Sequence, residues 1–266
     1  MNSYAKLAGE TRPILAKRGF TRIFGGRRVR WEPAWQAYPG AIDEAPAAWL
    51  VDLAAVDAAP VLRLPVRLDI RLPYPGGGLP AEADLNRLGA FDGRVRAIAA
   101  EHDGVFVGRV ACAGLCRYTA HLPAAAAQPP RGASLDGAEV STEYDPHWAY
   151  VRDHLAPDER QAQLLADLLV VTALRQHGDV LDRIREVEHV ALFAGPDPAN
   201  DAATALRAEG FSVAVERDDE GEFVLLATRR DAVVPPAVHE VSWTVKESIE
   251  RHGGSYDGWS CAVSTA

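Results

Sequence analysis

The stretch His252-Gly253-Gly254-Ser255-Tyr256-Asp257-Gly258-Trp259-Ser260-Cys261, near the end of the chain, decides the fold. It follows a segment with helical periodicity, and Gly253 suits the left-handed cap of a helix, where a Cβ would clash. Tyr256 and Trp259 can each bury a large area while keeping one polar group. The run continues as Cys261-Ala262-Val263, so the stretch predicts a helix end followed by a short terminal strand.

The elements before this stretch, back to residue 157, alternate between strand and helix patterns. A helix over Glu159 to His177 comes first, with Asp158 as its N-cap and Gly178 after its end. The sequence then predicts a strand at 187–194, a helix from about 196 to Gly210, strands at 211–215 and 223–228, and a helix at 243–251. With the terminal strand, this β-α-β-β-α-β order predicts a ferredoxin-like domain. Its two inner helices cover one sheet face, and we expect the helix over Glu159 to His177 or the N-terminal half to cover the other.

The N-terminal half predicts a second domain, an antiparallel sheet with helices, so the fold class is α+β throughout. Val66 to Leu72 alternates strictly between apolar and charged residues, which is typical of a half-solvated strand. Other predicted strands cover 47–56, 105–110, 117–122 and 140–144, and predicted helices cover 1–20, 80–101 and 145–155, with 31–38 unassigned. The boundary falls at Ala156-Pro157-Asp158, which gives domains of residues 1–156 and 157–266.

Charge is distributed unevenly along the 266 residues, whose net charge is −9. Residues 1–30 carry eight Lys and Arg against one Glu, which leaves −16 on the remaining chain. An acidic body repels polyphosphate chains, so broad nucleic-acid binding is not expected. The basic start could contact an acidic partner or RNA, although a solvated or frayed end is the more common reason for such a segment.

The cysteine count and hydropathy indicate a cytoplasmic protein. Cys112, Cys116 and Cys261 are odd in number and lack the spacing of a disulfide framework or a zinc site, which favours reduced thiols. No apolar stretch is long enough to span a bilayer, so no membrane association is expected.

No motif for a cofactor, metal or nucleophile is complete in this sequence. The triplet Gly76-Gly77-Gly78 is not followed by Gly-Lys-Ser/Thr, so it predicts a flexible turn and no phosphate loop. His147 and His154 are seven apart on the predicted helix and would share a face, next to Asp153. We therefore expect no catalytic residue, cofactor or metal. An enzyme with a site between the two domains, using His147, His154 and Asp257, is the alternative hypothesis.

The run Gly254-Ser255-Tyr256-Asp257-Gly258-Trp259 resembles the RraB family, bacterial regulators of ribonuclease E activity. The upstream order of elements, over roughly residues 160 to 264, also fits that family. The first half resembles an uncharacterised bacterial family that often precedes RraB-like domains. Its shared residues are Gly77-Gly78-Leu79-Pro80, Val107-Gly108-Arg109 and Asp145-Pro146-His147-Trp148-Ala149-Tyr150.

The resemblance implies a regulatory protein that binds another protein, with a ribonuclease as one possible partner. Candidate contact residues are Tyr256, Asp257 and Trp259 together with the acidic hairpin tip Asp218-Asp219-Glu220. The competing interpretation is that Tyr256 and Trp259 only anchor the last strand in the core, since buried aromatic residues usually pack. A third hypothesis is RNA binding, with Phe193 and Phe223 stacking bases on the sheet, although packing in the core explains both residues equally.

Overall fold

A computed structural model describes residues 31–126, 135, 137–219 and 221–265. The helix predicted at 1–20, the basic residues of that segment and Glu220 lie outside the described residues. The described chain divides into two compact units, 31–161 and 162–265. Each contains helices and an antiparallel sheet, which confirms two α+β domains, while the exact boundary after residue 156 stays a prediction.

The N-terminal unit is built on one six-stranded antiparallel sheet. Its strands are β1 (Trp35–Ile42), β2 (Ala45–Asp52), β3 (Val66–Pro73), β4 (Val105–Cys112), β5 (Leu115–Leu122) and β6 (Glu139–Tyr144). They lie in the order β1-β2-β4-β5-β3-β6. The helical segments are α1 (Leu53–Ala58), α2 (Glu82–Glu101), a 3-10 turn (Ala124–Ala126) and a π-helical turn (Val151–Leu155).

Helix α2 packs against the apolar face of β3 and β5 and forms the core of this unit. Leu88 and Val95 of α2 are fully buried against Leu68 and Ile70 of β3, as the apolar periodicity predicts. The charged face of β3, however, is only partly solvated. Asp69 is 3% exposed and accepts a hydrogen bond from Arg67 Nε at 2.8 Å, and the ring of Tyr150 lies against the Arg67 guanidinium, whereas the Arg71 side chain is 36% exposed.

Two predicted segments of this unit change type within their length. The strand predicted at 47–56 ends at Asp52, whose carboxylate accepts from Ala54 N and caps α1. The helix predicted from Asp145 begins later, because Trp148 has a φ of +54°. Asp145 still caps it by accepting from Ala149 N at 2.8 Å. The unassigned segment 31–38 contributes the start of β1, and the hairpin around Ala113-Gly114 is confirmed.

The C-terminal unit follows the predicted ferredoxin-like order. After the leading helix α3 (Glu159–Gln176) come β7 (Arg185–Phe193), α4 (Pro196–Ala208), β8 (Ser212–Arg217), β9 (Phe223–Asp231), α5 (Ala237–Arg251) and β10 (Ser255–Cys261). The antiparallel sheet has the order β10-β7-β9-β8, so the terminal strand pairs with the first strand at one edge. Asp158 caps α3 as predicted, because its Oδ1 accepts from Gln161 N at 2.7 Å.

All three helices of this unit pack on the same side of the sheet. Ala191 and Phe193 of β7 pack with α4 and α5. Val187, four residues before Ala191 on the same strand, packs with Val171 of α3. Alternate residues of a strand point to the same face, so α3 shares the face used by α4 and α5. The expectation that α3 covers the opposite face is therefore wrong. Within the described residues, no helix is both long and apolar enough to cross a membrane.

Candidate functional site

A buried carboxylate, Asp167 of α3, lies at the centre of the C-terminal unit and is 2% exposed. Its Oδ1 accepts hydrogen bonds from Gln163 Nε2 at 2.8 Å and from Trp259 Nε1 at 2.9 Å. Its Oδ2 accepts from Ser242 Oγ at 2.6 Å and from His239 Nδ1 at 2.8 Å. These donors offset the cost of burying a charge, and they join α3 to α5 and to β10.

Trp259 is held from two sides, and only 6% of it is exposed. Its ring packs in a buried cluster with Val171 and Leu174 of α3 and Val238 of α5. Its only polar group, the indole N–H, donates to Asp167. These contacts favour the interpretation that Trp259 anchors β10 in the core.

Tyr256 is bound to the neighbouring strand through His189 of β7. The hydroxyl of Tyr256 lies 2.7 Å from Nδ1 of His189, whose side chain is fully buried. Burial, together with the charge of Arg229, lowers the pKa of His189 to about 4, so the ring is neutral at neutral pH. Burial, with the charges of Asp167 and Asp257, raises the pKa of Tyr256 well above its usual value. Both groups are therefore neutral and share one hydrogen bond, which ties β10 to β7.

Asp257 is the exposed member of the terminal stretch. The register between β10 and β7 shifts between Tyr256, which pairs with Ala191, and Gly258, which pairs with Val190. Gly258 has a φ of +116°, a conformation that residues with a side chain rarely adopt. The resulting bulge leaves Asp257 exposed at the edge of the sheet, between two anchored aromatic residues.

The acidic residues of the second predicted contact segment lie in the β8–β9 hairpin. Asp218 Oδ1 accepts from Glu222 N at 2.8 Å and so stabilises the turn, while Asp219 is exposed. Asp218 also accepts from Gly221 N through its backbone oxygen. The hairpin tip is thus an ordered turn that presents carboxylates to solvent.

The hairpin tip and the start of β10 lie at the same end of the sheet. Phe223 pairs with both Arg217 and Phe193, and the preceding residue of β7, Leu192, pairs with Ser255. Strands β8 and β10 are opposite edges, three strand spacings or roughly 14 Å apart. We call this surface the acidic end of the sheet and define it by Asp218, Asp219, Glu222 and Asp257.

His147 and His154 do not share a helix face, so this prediction is wrong. The left-handed conformation of Trp148 separates His147 from the helix, and the π-helical turn at 151–155 changes the angular spacing of the residues that follow. Both histidines are exposed, and the ring of His154 lies against Tyr150 with 4.7 Å between centroids. Among the described residues, no group of three His, Cys, Asp or Glu side chains could hold a metal ion.

The two phenylalanines considered for base stacking belong to the core. Phe193 is 2% exposed and packs with α4 and α5, and Phe223 pairs with it on the same face. Aromatic rings that stack on bases must reach solvent, and these rings face the helices. The arrangement does not favour the RNA-binding hypothesis.

The described structure is thus a two-unit α+β protein whose second unit is ferredoxin-like around a buried carboxylate. Residues 166–261 match the family described as Regulator of ribonuclease activity B, RraB, and residues 33–156 match the Family of unknown function DUF695. Both resemblances drawn from the sequence are confirmed. No curated protein matches the chain.

The sequence analysis missed the residues that hold the site together. Asp167 stands in the apolar run 164–171 of α3, where an isolated carboxylate signals a buried partner. His239 and Ser242 are three apart on α5 and so lie on one face, which is the second available signal. Neither pattern shows that Asp167 accepts from His239 and Ser242, because α3 and α5 are separated in sequence by more than half of the unit.

Proposed function

We propose that this protein is a non-catalytic regulator whose C-terminal unit binds a protein partner through the acidic end of the sheet. The match of residues 166–261 to a family of ribonuclease regulators makes a ribonuclease the first partner to test. The observation that carries the proposal is the exposure of Asp219 and Asp257 at the same end of the sheet, next to a buried Trp259 and a partly buried Tyr256.

Charge complementarity is the physical basis of this interaction. The acidic end gathers carboxylates from both edges of the sheet, and such a patch attracts Lys and Arg side chains of a partner. Electrostatic attraction of this kind raises the association rate and selects partners by the sign of their charge. A basic segment of the partner that spans roughly 14 Å could contact both edges at once.

Tyr256 and Trp259 have a supporting role in this proposal. Their polar groups are already bonded to His189 and Asp167, so little of either side chain is available to a partner. By fixing β10 on both sides of the bulge, they hold Asp257 at a defined place on the edge. Replacement of Trp259 by Ala would therefore reduce binding through loss of structure, and the exposed carboxylates are the better residues to change.

The test is direct binding of the purified full chain to purified bacterial ribonuclease E, with ribonuclease activity measured in parallel. The variant Asp218→Asn/Asp219→Asn/Asp257→Asn removes two exposed charges and one partly buried charge, and we expect it to bind about tenfold more weakly. Its affinity should also depend less steeply on salt concentration than that of the unmodified protein.

A matched control removes the same number of charges elsewhere on the unit. Asp201→Asn, Glu209→Gln and Glu247→Gln change exposed acidic residues on or next to α4 and α5, and this triple variant should bind normally. Equal binding by both triple variants would refute the assigned surface. Failure of the unmodified protein to bind or inhibit ribonuclease E would refute the ribonuclease as partner.

A further inference from the structure

The N-terminal unit contains a cavity of about 490 Å³ that the regulatory proposal does not use. It lies between the β1–β2 hairpin, the β4–β5 hairpin and residues 150–161, all within this unit. Its volume is in the range of small-molecule sites, about 300 to 1,000 Å³. Trp49 and Val110 form an apolar wall, and Ile42 and Leu115, respectively 39% and 38% exposed, form an apolar rim.

Arg117 lies in the lining of this cavity and forms no ion pair with a carboxylate among the described residues, although the charge of Asp69 acts on it. Its neighbours on β3 differ: Arg67 pairs with Asp69 and Glu143, and Arg71 pairs with Glu139. Arg117 is half-buried, and a partly buried cation without a carboxylate in direct contact gains more than a solvated one from an anionic ligand.

The aromatic ring of Tyr150 holds the Arg117 side chain in place. The guanidinium carbon of Arg117 lies 5.1 Å from the centroid of this ring, and that of Arg67 lies 4.7 Å from it. Burial lowers the pKa of Arg117, but its hydrogen bond to Tyr150 and the charge of Asp69 together outweigh this effect, and the net pKa is raised. The guanidinium is therefore charged and positioned before any ligand arrives.

His154 adds a second donor at the wall next to Arg117. Its backbone oxygen accepts from Trp49 Nε1 at 2.9 Å, which fixes the residue, and its ring leans on Tyr150. The carboxylates Asp153 and Asp158 also line the cavity, and they would repel ligands that carry several negative charges, such as nucleotides. Asp158 Oδ1 is already occupied by Gln161 N, which makes it a poor site for a ligand cation.

Gly40 leaves room for two residues that line the cavity. A Cβ at this position would lie 2.5 Å from Gln161 Nε2 and 2.9 Å from Cζ3 of Trp49, and both residues line the cavity. Glycine is therefore needed on β1 for the Trp49 ring and the Gln161 amide to keep their positions.

We propose that this cavity binds a small monocarboxylate with an apolar body, its carboxylate on Arg117 and its body against Trp49. An aromatic or branched organic acid and a hydrophobic amino acid share this chemistry. The inference concerns the N-terminal unit and does not rest on the proposed protein-binding role, so either can fail alone.

Isothermal titration calorimetry of the full chain with four ligands that share the same phenyl group tests the proposal. Phenylacetate should bind about tenfold more tightly than its neutral amide, phenylacetamide, because only the carboxylate can form a charge-assisted pair with Arg117. Phenylalanine distinguishes the source: tighter binding than phenylacetate indicates an amino acid, and weaker binding indicates a simple acid. Tighter binding of phenethylamine, or no binding by any of the four, would overturn the proposal.

Variants connect the binding to the named residues. Arg117→Gln should reduce the affinity for phenylacetate to that for phenylacetamide, whereas Gly40→Ala should weaken both by narrowing the cavity. Arg152→Gln removes an exposed charge from the same segment as His154 and should change neither affinity. If Arg117→Gln fails to fold by circular dichroism, Arg117→Lys keeps the charge without the planar fork and should give an intermediate affinity. Unchanged binding in the folded Arg117 variant refutes the site.

Discussion

At the scale of single residues, the C-terminal unit depends on Asp167 being fully hydrogen-bonded. A buried carboxylate is tolerated only when hydrogen-bond donors replace its lost hydration. Removal of a single donor therefore leaves the carboxylate only partly compensated. Because the donors come from β10 and α5, each of these hydrogen bonds fixes the position of a different element.

Trp259→Phe is expected to lower the free energy of unfolding of the C-terminal unit by about 1 to 3 kcal/mol. The substitution removes the donor to Asp167 Oδ1 and leaves a small cavity in the cluster with Val171. Urea unfolding followed by circular dichroism measures the change. Trp243→Phe on α5, where the ring is only partly buried, is the matched control and should cost less. Equal losses in both variants would show that the Asp167 contact has no special weight.

His189 gives the C-terminal unit a definite pH dependence. Its pKa is about 4 in the folded state against 6.5 for the unperturbed group, so the unfolded chain binds the proton first. Stability is complete above pH 6.5 and is lost as the pH falls toward 4, by up to about 3 kcal/mol.

The variant His189→Gln isolates this effect, because glutamine can still hydrogen-bond the Tyr256 hydroxyl but does not titrate. We expect its unfolding free energy, measured in urea across this pH range, to fall less than that of the unmodified protein. His121 in the N-terminal unit also has a pKa lowered to about 4, so the comparison uses the difference between the two proteins. A parallel fall in both would contradict the assignment to His189.

At the scale of elements, α3 shows how periodicity can indicate a helix and misjudge its buried side. The sequence offers an apolar side rich in leucine, yet the buried stripe is Gln163, Asp167, Val171 and Leu174, and Leu169 is 41% exposed. Residues four apart on a helix lie on one face, and this face meets β10 and α5. The polar part of this stripe can be buried because Trp259, His239 and Ser242 donate hydrogen bonds to Asp167.

Deletion of α3 is expected to unfold the C-terminal unit. We predict that a fragment of residues 157–266 folds alone, whereas a fragment of residues 178–266 does not. The shorter fragment lacks the acceptor for Trp259 Nε1 and His239 Nδ1 as well as Val171 and Leu174. Cooperative thermal unfolding by circular dichroism distinguishes the two. Cooperative unfolding of the shorter fragment would show that α3 is dispensable. If the longer fragment did not unfold cooperatively, the domain boundary would lie elsewhere than at residue 157.

The segment 145–155 shows that a helix can begin later than its capping residues indicate. Asp145 and Pro146 are typical of a helix N-terminus, and Asp145 does accept from Ala149 N and Tyr150 N. The helix nevertheless begins after Trp148, whose fully buried ring stacks on His121 with 3.9 Å between centroids and donates to Leu64 O. Tertiary packing of one large side chain thus overrides the local capping signal.

At the scale of the whole molecule, the chain joins a unit that matches the RraB family to a unit that matches DUF695. The net charge of −9 is compatible with the acidic surface proposed for the first, and the second holds a cavity lined by Arg117. The two units therefore present different chemistry: exposed carboxylates suited to a basic protein, and a half-buried cation suited to a small acid.

The sequence alone was sufficient to predict the α+β class, the ferredoxin-like order of the C-terminal unit and the family that each unit resembles. These follow from local patterns, namely strand alternation, helical periodicity, caps and the Gly254–Trp259 run, which a short window of residues can specify. The tertiary structure was needed to show that Trp259 is bound by Asp167, that Tyr256 is bound by His189, and that Arg117 lies in a cavity. The physical reason is that the partners of a buried polar group come from elements far apart in sequence, and no local period records which of them meet.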